Sequence, residues 1–328
     1  MTDTLHRVIT HMYRSATLQA LRNAWTGSRV ARPENRKRLQ AELDTHRRLG
    51  STGDGKSIYL IHLGGDCALR REIGRLRELS FRRVGEGTGK AYDLDEYDDY
   101  YEHLLLWDDD AREVVGAYRI AQAGSLIRRY GLEALYTASL FDFDPRFEPF
   151  FEHGLELGRS FIQPRYWGSR GLDCLWYGIG AYLMEHPRLR YLFGPVSISA
   201  QLPEKARHML VYFFRRHFGA QAGVVSARRP LRLSETDHRR HRELFSGFDY
   251  NRDLKTLKKE LSALGVSIPV LYKQYAGLCE REGVRFFDFS VDQDFGRCID
   301  GFIMLDLSHL KARKRDRYLT PQPDQAAA

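Results

Sequence analysis

The order of apolar and polar positions predicts strands that alternate with helices between residues 57 and 310. Short apolar runs bounded by Gly, Asp or Pro are typical of strands, whereas apolar positions three or four residues apart are typical of helices with one buried face. The predicted strands cover 57–63, 100–107, 113–121, 190–197, 284–289 and 300–306, and a further strand begins at Gly154. The predicted helices cover 67–83, 131–139, 171–185, 203–218, 253–264 and 269–281. This order predicts an α/β fold with helices packed around one central sheet.

The first fifty residues form a basic segment that precedes this domain. They contain ten Lys and Arg residues against four acidic ones. Apolar residues recur every three or four positions in the first helix, which is therefore amphipathic, and a second helix is predicted at 34–48. A basic amphipathic helix either lies on an anionic membrane or packs against its own domain, and both remain open. The chain ends in a basic and then disordered tail at 311–328, of which 321–328 is the disordered part.

The composition is that of a soluble globular protein with an excess of positive charge. Of 328 residues, 43% are hydrophobic and 29% charged, and the formal net charge is +8. This charge suits nucleic acid, anionic lipid or an acidic carrier protein, and it equally fits a basic surface without a partner. The four cysteines are scattered without a CxxC pair, which favours free thiols in a reducing cytoplasm and no metal site.

Two opposite charges interrupt the apolar strand that begins at Gly154. Glu156 and Arg159 lie in a segment that otherwise favours burial, where a charge is costly unless it is paired or used. Residues three apart in a regular strand point to opposite faces. Unless a bulge intervenes, one side chain is therefore expected to face a substrate cleft while the other anchors a neighbouring loop.

Three further charged groups accompany this strand. Arg77 and Phe81 share one face of the helix at 67–83, and Arg119 lies near the end of an apolar strand. The acidic segment with Asp93, Asp95 and Asp98 lacks the glycine and the last glutamate of an EF-hand calcium loop. The turn with Arg165, Gly168 and Arg170 precedes a helix, whose first N–H groups suit an anion.

These residues, in this order, resemble the acyl-homoserine-lactone synthases, which are GNAT-fold N-acyltransferases. The chain is more similar to the ornithine-lipid N-acyltransferases, in which an ELGRS segment precedes an arginine-bearing loop and an apolar helix with LW, GI and Tyr. Here that pattern reads Glu156 to Ser160, then Arg165, Leu175-Trp176, Gly178-Ile179 and Tyr182. The likeness covers roughly 57–310. It implies a mixed central sheet flanked by helices, with 1–50 as a helical extension and 219–310 as a family-specific part.

The resemblance has departures. Asp93 stands where the lactone synthases have Glu, and their tryptophan is missing from Gly85 to Gly89. These differences argue against lactone synthesis. The spacing from His103 to Asp108 matches an HxxxxD motif of glycerolipid acyltransferases, but it lies along a predicted strand and its turn and is interpreted as chance.

The resemblance implies aminolysis of an acyl thioester by an amino acid, without an acyl-enzyme and without a bound cofactor or metal. Glu156 is the first candidate for the general base and Asp95 the second, and backbone N–H groups near Ser160 are candidates for the oxyanion site. One group of candidates is expected to bind the amino acid or to brace the acidic loop, namely Arg77, Phe81, Asp93, Asp98, Arg119 and Arg159. A second group is expected to receive the pantetheine arm of acyl carrier protein, namely Arg165, Gly168 and Arg170, with Arg207 beside them.

The expected function is transfer of a fatty acyl or 3-hydroxy fatty acyl group from acyl carrier protein to the α-amine of L-ornithine. Acyl-CoA stays open as the donor, and glycine, glutamine or lysine as the acceptor. The alternatives are a lactone-synthase-like enzyme and a basic module that binds membranes or nucleic acid. The second is disfavoured because the chain has no RNP-like motif of aromatic and basic residues. We expect a cytoplasmic protein, peripheral on the inner face of the membrane, with no nucleic-acid partner.

Overall fold

The computed structural model describes residues 28–320, so the predicted first helix and the tail at 321–328 lie outside the described residues. The helices, in chain order, are α1 Arg36–Leu43, α2 Ala68–Arg83, α3 Ala123–Tyr130, α4 Glu148–Glu152, α5 Gly171–Glu185, α6 Glu204–Phe218, α7 Glu235–Leu244, α8 Tyr250–Ala263, α9 Val270–Ala276 and α10 Ala312–Tyr318. The strands are β1 Arg47–Thr52, β2 Lys56–His62, β3 Glu102–Asp108, β4 Glu113–Gln122, β5 Phe141–Phe143, β6 Gly154–Ile162, β7 Tyr191–Ile198, β8 Val225–Ala227, β9 Val284–Val291 and β10 Ile299–Asp306.

The chain divides into two compact units that are interleaved along the sequence. Within the described residues, the first unit comprises 28–122, 155–189 and 312–320, and the second comprises 123–154 and 190–311. The predicted domain bounds at 50, 57 and 310 stay a prediction. Strand β1, at the end of the predicted N-terminal extension, pairs with β2 inside the first unit.

The first unit is built on antiparallel strands in the order β1-β2-β3-β4-β6. Helix α5 packs on one face, where Gly178 lets the helix approach Ile58 and Leu104. The opposite face carries His103 and Arg119, which point towards α2 and the acidic loop that follows it. Layers therefore lie on both faces of these strands, as the α/β prediction requires.

The second unit contains the antiparallel strands β7, β10 and β9 and a separate pair, β5 and β8. Its core is aromatic: Phe147 packs edge-on against Phe193 and Phe302. Among residues 28–320, no helix is both long and apolar enough to cross a membrane.

Most predicted elements are confirmed to within a few residues, but two are wrong. The predicted helix at 34–48 ends at Leu43, since the chain then pairs with β2 as strand β1. The predicted helix at 131–139 contains only short 3₁₀ turns, and the helix of this region, α3, comes before it. Because α3 follows directly after Gln122, the last residue of β4, no turn residue marks its start. The segment 141–151, for which no helix or strand was predicted, contains β5 and α4.

Candidate active site

The acidic loop is held against α2 by a close approach of the two backbones. The N–H of Asp93 donates to the carbonyl of Gly74 at 2.9 Å. A Cβ atom at Gly74 would lie 2.6 Å from Cγ of Leu94, so a larger residue would push the loop away. The α2 side chains Leu69, Ile73, Leu76 and Phe81 are all buried. The predicted substrate contact Phe81 is thus a residue of the α2 core.

The loop ends in a short 3₁₀ turn, Glu96–Asp99, that orients its carboxylates. Asp95 caps this turn, and Asp98 reaches back to accept the N–H of Asp95 at 3.0 Å. Asp98 is fully buried, whereas the side chain of Asp95 keeps 24% of its surface exposed. Asp95 is therefore the carboxylate of this loop that is placed to meet a substrate.

Arg77 joins the two buried carboxylates of the loop. Its Nη1 lies 2.6 Å from Oδ1 of Asp98, and its Nη2 lies 3.2 Å from Oδ1 of Asp93. All three side chains are at most 1% exposed. Burial alone would raise the pKa of each carboxyl group, but Arg77 holds the pKa of both Asp93 and Asp98 below the ordinary value. The sequence left two roles open for Arg77, binding of the amino acid and bracing of the acidic loop, and these contacts favour bracing.

Arg119 connects the same loop to strand β4. Its Nη1 contacts Asp95 directly and lies 3.2 Å from Oδ1 of Asp98. Its guanidinium carbon lies 5.4 and 5.2 Å from the ring centroids of Tyr97 and Tyr101, within the range of cation–π attraction. Arg119 is buried, so its contacts also favour a bracing role.

Arg159 reaches the same cluster because strand β6 contains a β-bulge. The register between β4 and β6 places Gly158 opposite Arg119 and Phe161 opposite Ala117, so Arg159 and Ser160 together face Tyr118. Arg159 has a φ of 45°, which non-glycine residues seldom adopt.

The bulge returns the Arg159 side chain to the cluster. Arg159 Nε lies 3.4 Å from Asp93 Oδ2, and Arg159 Nη2 lies 3.5 Å from Asp95 Oδ2. The sequence argument placed Glu156 and Arg159 on opposite faces unless a bulge intervened, and the bulge is present. The side chains of Glu156 and Arg159 lie on the same face of the sheet.

His103 is a neutral member of the cluster. Its Nε2 lies 3.1 Å from Oδ1 of Asp98. Burial lowers the pKa of His103 to about 4 even though Asp98 acts in the opposite direction. With His103 neutral, the cluster contains the guanidinium groups of Arg77, Arg119 and Arg159 and the carboxyl groups of Asp93, Asp95, Asp98 and Glu156.

Glu156 is buried beside this network rather than within its ion pairs. Its side chain lies on the Arg119 face of the sheet, since Glu156 is opposite Ala121 in the register. It is 1% exposed, and the hydroxyl of Tyr101 donates a hydrogen bond to its Oε2. The Tyr101 ring also faces Arg119 and therefore connects Glu156 to the arginine cluster.

Open space lies beside Gly158, two residues after Glu156 and on the same face of β6. A Cβ atom at Gly158 would meet no atom within 4 Å. By contrast, a Cβ at Gly116 on the neighbouring strand would lie 2.3 Å from the carbonyl oxygen of Phe161. The face that carries the candidate base therefore has room for another molecule at Gly158.

The turn before α5 carries the residues predicted to receive the acyl carrier. Gly168 adopts a φ of 83°, and the exposed side chains of Arg165 and Arg170 form ion pairs with Glu113 and Asp173. These arginines are accessible to a carrier and also have partners within the chain. Arg207 lies in the second unit, on α6.

The structure thus assembles the predicted acidic loop, its arginines and Glu156, and it adds residues that sequence reasoning missed. Tyr101 and His103 were assigned to an apolar strand without a role. Their signal was weak: Tyr101 lies three residues after Asp98, and His103 is the one imidazole in the segment 100–107. Ser160 lies within the bulge, where its partial exposure is compatible with the predicted role of the local backbone.

Comparisons with known proteins identify what the chain is similar to. Residues 76–177 match the family model described as an acetyltransferase (GNAT) domain. The chain is 33% identical over 303 residues to a glycine N(alpha)-acyltransferase of Phocaeicola vulgatus, covering 88% of this chain and 92% of the relative. It is 34% identical over 304 residues to a protein of the same name in Bacteroides thetaiotaomicron, covering 88% of this chain and 89% of the relative.

The chain belongs to the GNAT N-acyltransferases. A more limited likeness is to the L-ornithine N(alpha)-acyltransferase of Agrobacterium fabrum, which is 30% identical over 155 residues, or 43% of this chain and 48% of that protein. No solved structure matches the chain. The prediction of a GNAT-like α/β fold and of an N-acyltransferase enzyme is confirmed.

Proposed function

We propose that this enzyme transfers a fatty acyl group from acyl carrier protein to the α-amine of glycine. The observation that carries the choice of acceptor is the extent of the similarity. The relatives named glycine N(alpha)-acyltransferase align with 88% of the chain, whereas two that are named L-ornithine N(alpha)-acyltransferase align with 43% and 53%. The order of preference from the sequence, ornithine before glycine, is therefore reversed.

Glu156 is the proposed general base. An amino acid arrives as an ammonium zwitterion and must lose a proton before its nitrogen can attack. Glu156 accepts that proton, directly or through one water molecule in the open space beside Gly158. The nitrogen then bonds to the thioester carbonyl carbon, the carbon–sulfur bond breaks, the nitrogen's second proton passes to the departing thiolate, and Glu156 releases the first proton to solvent. The products are an N-acyl amino acid and the free thiol of the carrier.

The bulge in β6 is the proposed oxyanion site. A bulge leaves one residue of a strand without a partner residue opposite, so its N–H can turn towards a ligand. Here Arg159 and Ser160 share a single partner residue, and they follow Glu156 on the same strand. Their backbone N–H groups are the proposed donors to the tetrahedral intermediate, because fixed donors stabilise developing negative charge.

The ion-pair network fixes the position of the substrate amino acid. Asp95 and Arg159 form its accessible edge, with exposed side-chain fractions of 24% and 11%. We assign the substrate ammonium to the Asp95 side and its carboxylate to the Arg159 side. Arg77, Asp93 and Asp98 hold these two groups in place from the buried side.

The acyl donor is assigned to acyl carrier protein because the chain carries a net charge of +8 and carrier proteins are acidic. Arg165 and Arg170 lie on the turn before α5 and are the proposed contacts. Exposed cations of this kind chiefly increase the association rate. The donor should therefore bind less well as the salt concentration rises.

The test is a competition assay with the purified chain. A long-chain acyl carrier protein is incubated with equal concentrations of glycine, ornithine, glutamine, lysine and S-adenosylmethionine, and products are quantified by mass spectrometry. N-acylglycine should predominate, and acyl-CoA should be the poorer donor. Predominant N-acylornithine would restore ornithine as the acceptor, and an acyl-homoserine lactone would favour the lactone synthases. An absence of any acylated amine would refute the proposal.

A further inference from the structure

An exposed aromatic ring and a basic helix face lie next to each other in the sequence of the second unit. Phe248 is 88% exposed, which is the highest value among the exposed large hydrophobic residues of the described chain. It lies in the short connection between α7 and α8. The guanidinium carbon of Arg216 lies 5.9 Å from its ring centroid. A single exposed apolar residue is common on proteins, so the local construction decides whether this one has a role.

The backbone that presents Phe248 is firmly built. The buried carboxylate of Asp253 accepts the N–H of Ser246 at 3.1 Å and that of Gly247 at 2.7 Å. The same carboxylate lies 3.0 Å from Nε2 of buried His217. Gly247 has a φ of 76°, and a Cβ there would lie 1.9 Å from Nε of Arg216. Asp253 on α8 and Arg216 and His217 on α6 therefore fix the loop that displays the phenylalanine.

The next helix adds a continuous positive face. The buried side of α8 is formed by Asp253, Leu257 and Leu261. The positions on the opposite side are exposed and basic, namely Arg252, Lys255, Lys258 and Lys259. Of the acidic residues on α8, Asp253 is buried and Glu260 half-buried, so neither interrupts this face. Asp249, next to Phe248, is exposed and caps α8 by accepting the N–H of Arg252 at 3.0 Å, and Glu243 on α7 is also exposed.

We propose that the Phe248 surface, defined as Phe248, Arg216, Arg252, Lys255, Lys258 and Lys259, docks on an anionic lipid bilayer. An aromatic ring at headgroup depth with cations around it is an arrangement that binds membrane interfaces. Three of its five cations are lysines, which are depleted at protein–protein interfaces, so a lipid surface fits this composition better than a carrier protein. The site goes beyond the proposed function, since it lies apart in sequence from every residue assigned to acyl transfer.

The test measures sedimentation of the full chain with two kinds of vesicle, phosphatidylcholine alone and phosphatidylcholine with about one third phosphatidylglycerol. The variants are Phe248→Ser and the pair Lys255→Ser with Lys259→Ser, all at exposed positions. The controls are Tyr130→Ser, which removes another exposed aromatic residue, and the pair Arg313→Ser with Arg315→Ser, which removes two exposed cations from the first unit.

The lysine pair should reduce the affinity for anionic vesicles about 30-fold, since each surface cation contributes about five-fold. Phe248→Ser should reduce it on the order of ten-fold, and the two controls should stay within about two-fold of the wild type. Equal losses in the controls, or no loss in the variants, would overturn the proposal. Direct binding of acyl carrier protein is measured in parallel without vesicles. If the surface variants lose that binding instead, the surface is a carrier-protein dock and the lipid assignment is wrong.

Discussion

Replacing Tyr101 with phenylalanine tests how the buried candidate base is kept ready. The change removes only the hydroxyl group that donates to Oε2 of Glu156 and leaves the ring against Arg119. A hydrogen bond to a carboxylate stabilises its charged form. Without this donor, Glu156 should become a functioning base only at higher pH.

The expected size of the effect follows from the burial of both partners, which are at most 2% exposed. Hydrogen bonds to charged groups contribute about 1.5–3 kcal/mol. Because about 1.36 kcal/mol corresponds to one pH unit, the acid limb of the kcat/KM profile should move upward by about one to two units. The plateau at high pH should stay close to that of the wild type, because the base is still present.

The assay is the pH dependence of kcat/KM for acyl transfer, with thermal unfolding as a check on the fold. A matched control is Tyr182→Phe. The hydroxyl of Tyr182 is likewise buried and lies 2.7 Å from Oε2 of Glu102, on the other face of the strands. Both variants should lose comparable stability, but only the first should shift the profile.

An unshifted acid limb in the Tyr101 variant would refute this reasoning, and so would an equal shift in both variants. In the first case Tyr101 would have a structural role only. In the second case the shift would report general destabilisation rather than the contact with Glu156.

Three further predictions concern the site. Gly158→Val should cut kcat/KM at least 100-fold with an unchanged melting temperature, because the new side chain occupies open space beside the base; near-wild-type turnover would place the acceptor elsewhere. Arg77→Met should lower the free energy of unfolding by about 3–5 kcal/mol, since Asp93 and Asp98 lose their main partner; a loss below about 1 kcal/mol in urea titrations would contradict this. The pKa of His103 is lowered to about 4. As the pH decreases from 6.5 to 4, the unfolded chain therefore takes up a proton that the folded chain does not, and the free energy of unfolding decreases. His103→Gln should reduce that decrease by up to about 3 kcal/mol, measured by urea titration at pH 6.5 and at pH 4. If the variant and the wild type had the same urea midpoints at each pH, the prediction would be contradicted.

The strands and long helices were predictable because burial on one or both faces leaves a periodic signal. Helix α5 was predicted with its observed bounds, since no charged residue interrupts its sequence from Cys174 to Met184. Strand β1 was missed because RRLGST has little apolar character, and it forms a strand only by pairing with the edge of β2. Pairing of this kind depends on a partner that is not adjacent in the pattern.

The charged residues of the site were identifiable because burying a charged side chain inside an apolar segment is unfavourable unless the charge is paired or used. Their arrangement was not, since it depends on one backbone irregularity. The β-bulge at Arg159 places that side chain with Asp93 and Asp95, whereas regular alternation would turn it away. Tyr101 was missed for a related reason, because a tyrosine in an apolar segment looks like core until its hydroxyl is seen beside Glu156.

The central claim is that Glu156 is the base of an N-acyl transfer to an amino acid. Its most direct test is lipid mass spectrometry of a bacterial host that expresses either the wild-type chain or Glu156→Gln at equal soluble levels. We expect N-acylglycine to accumulate with the wild type and to fall by orders of magnitude with the variant. Equal accumulation from both chains, or no new acylated amino acid from the wild type, would contradict the account.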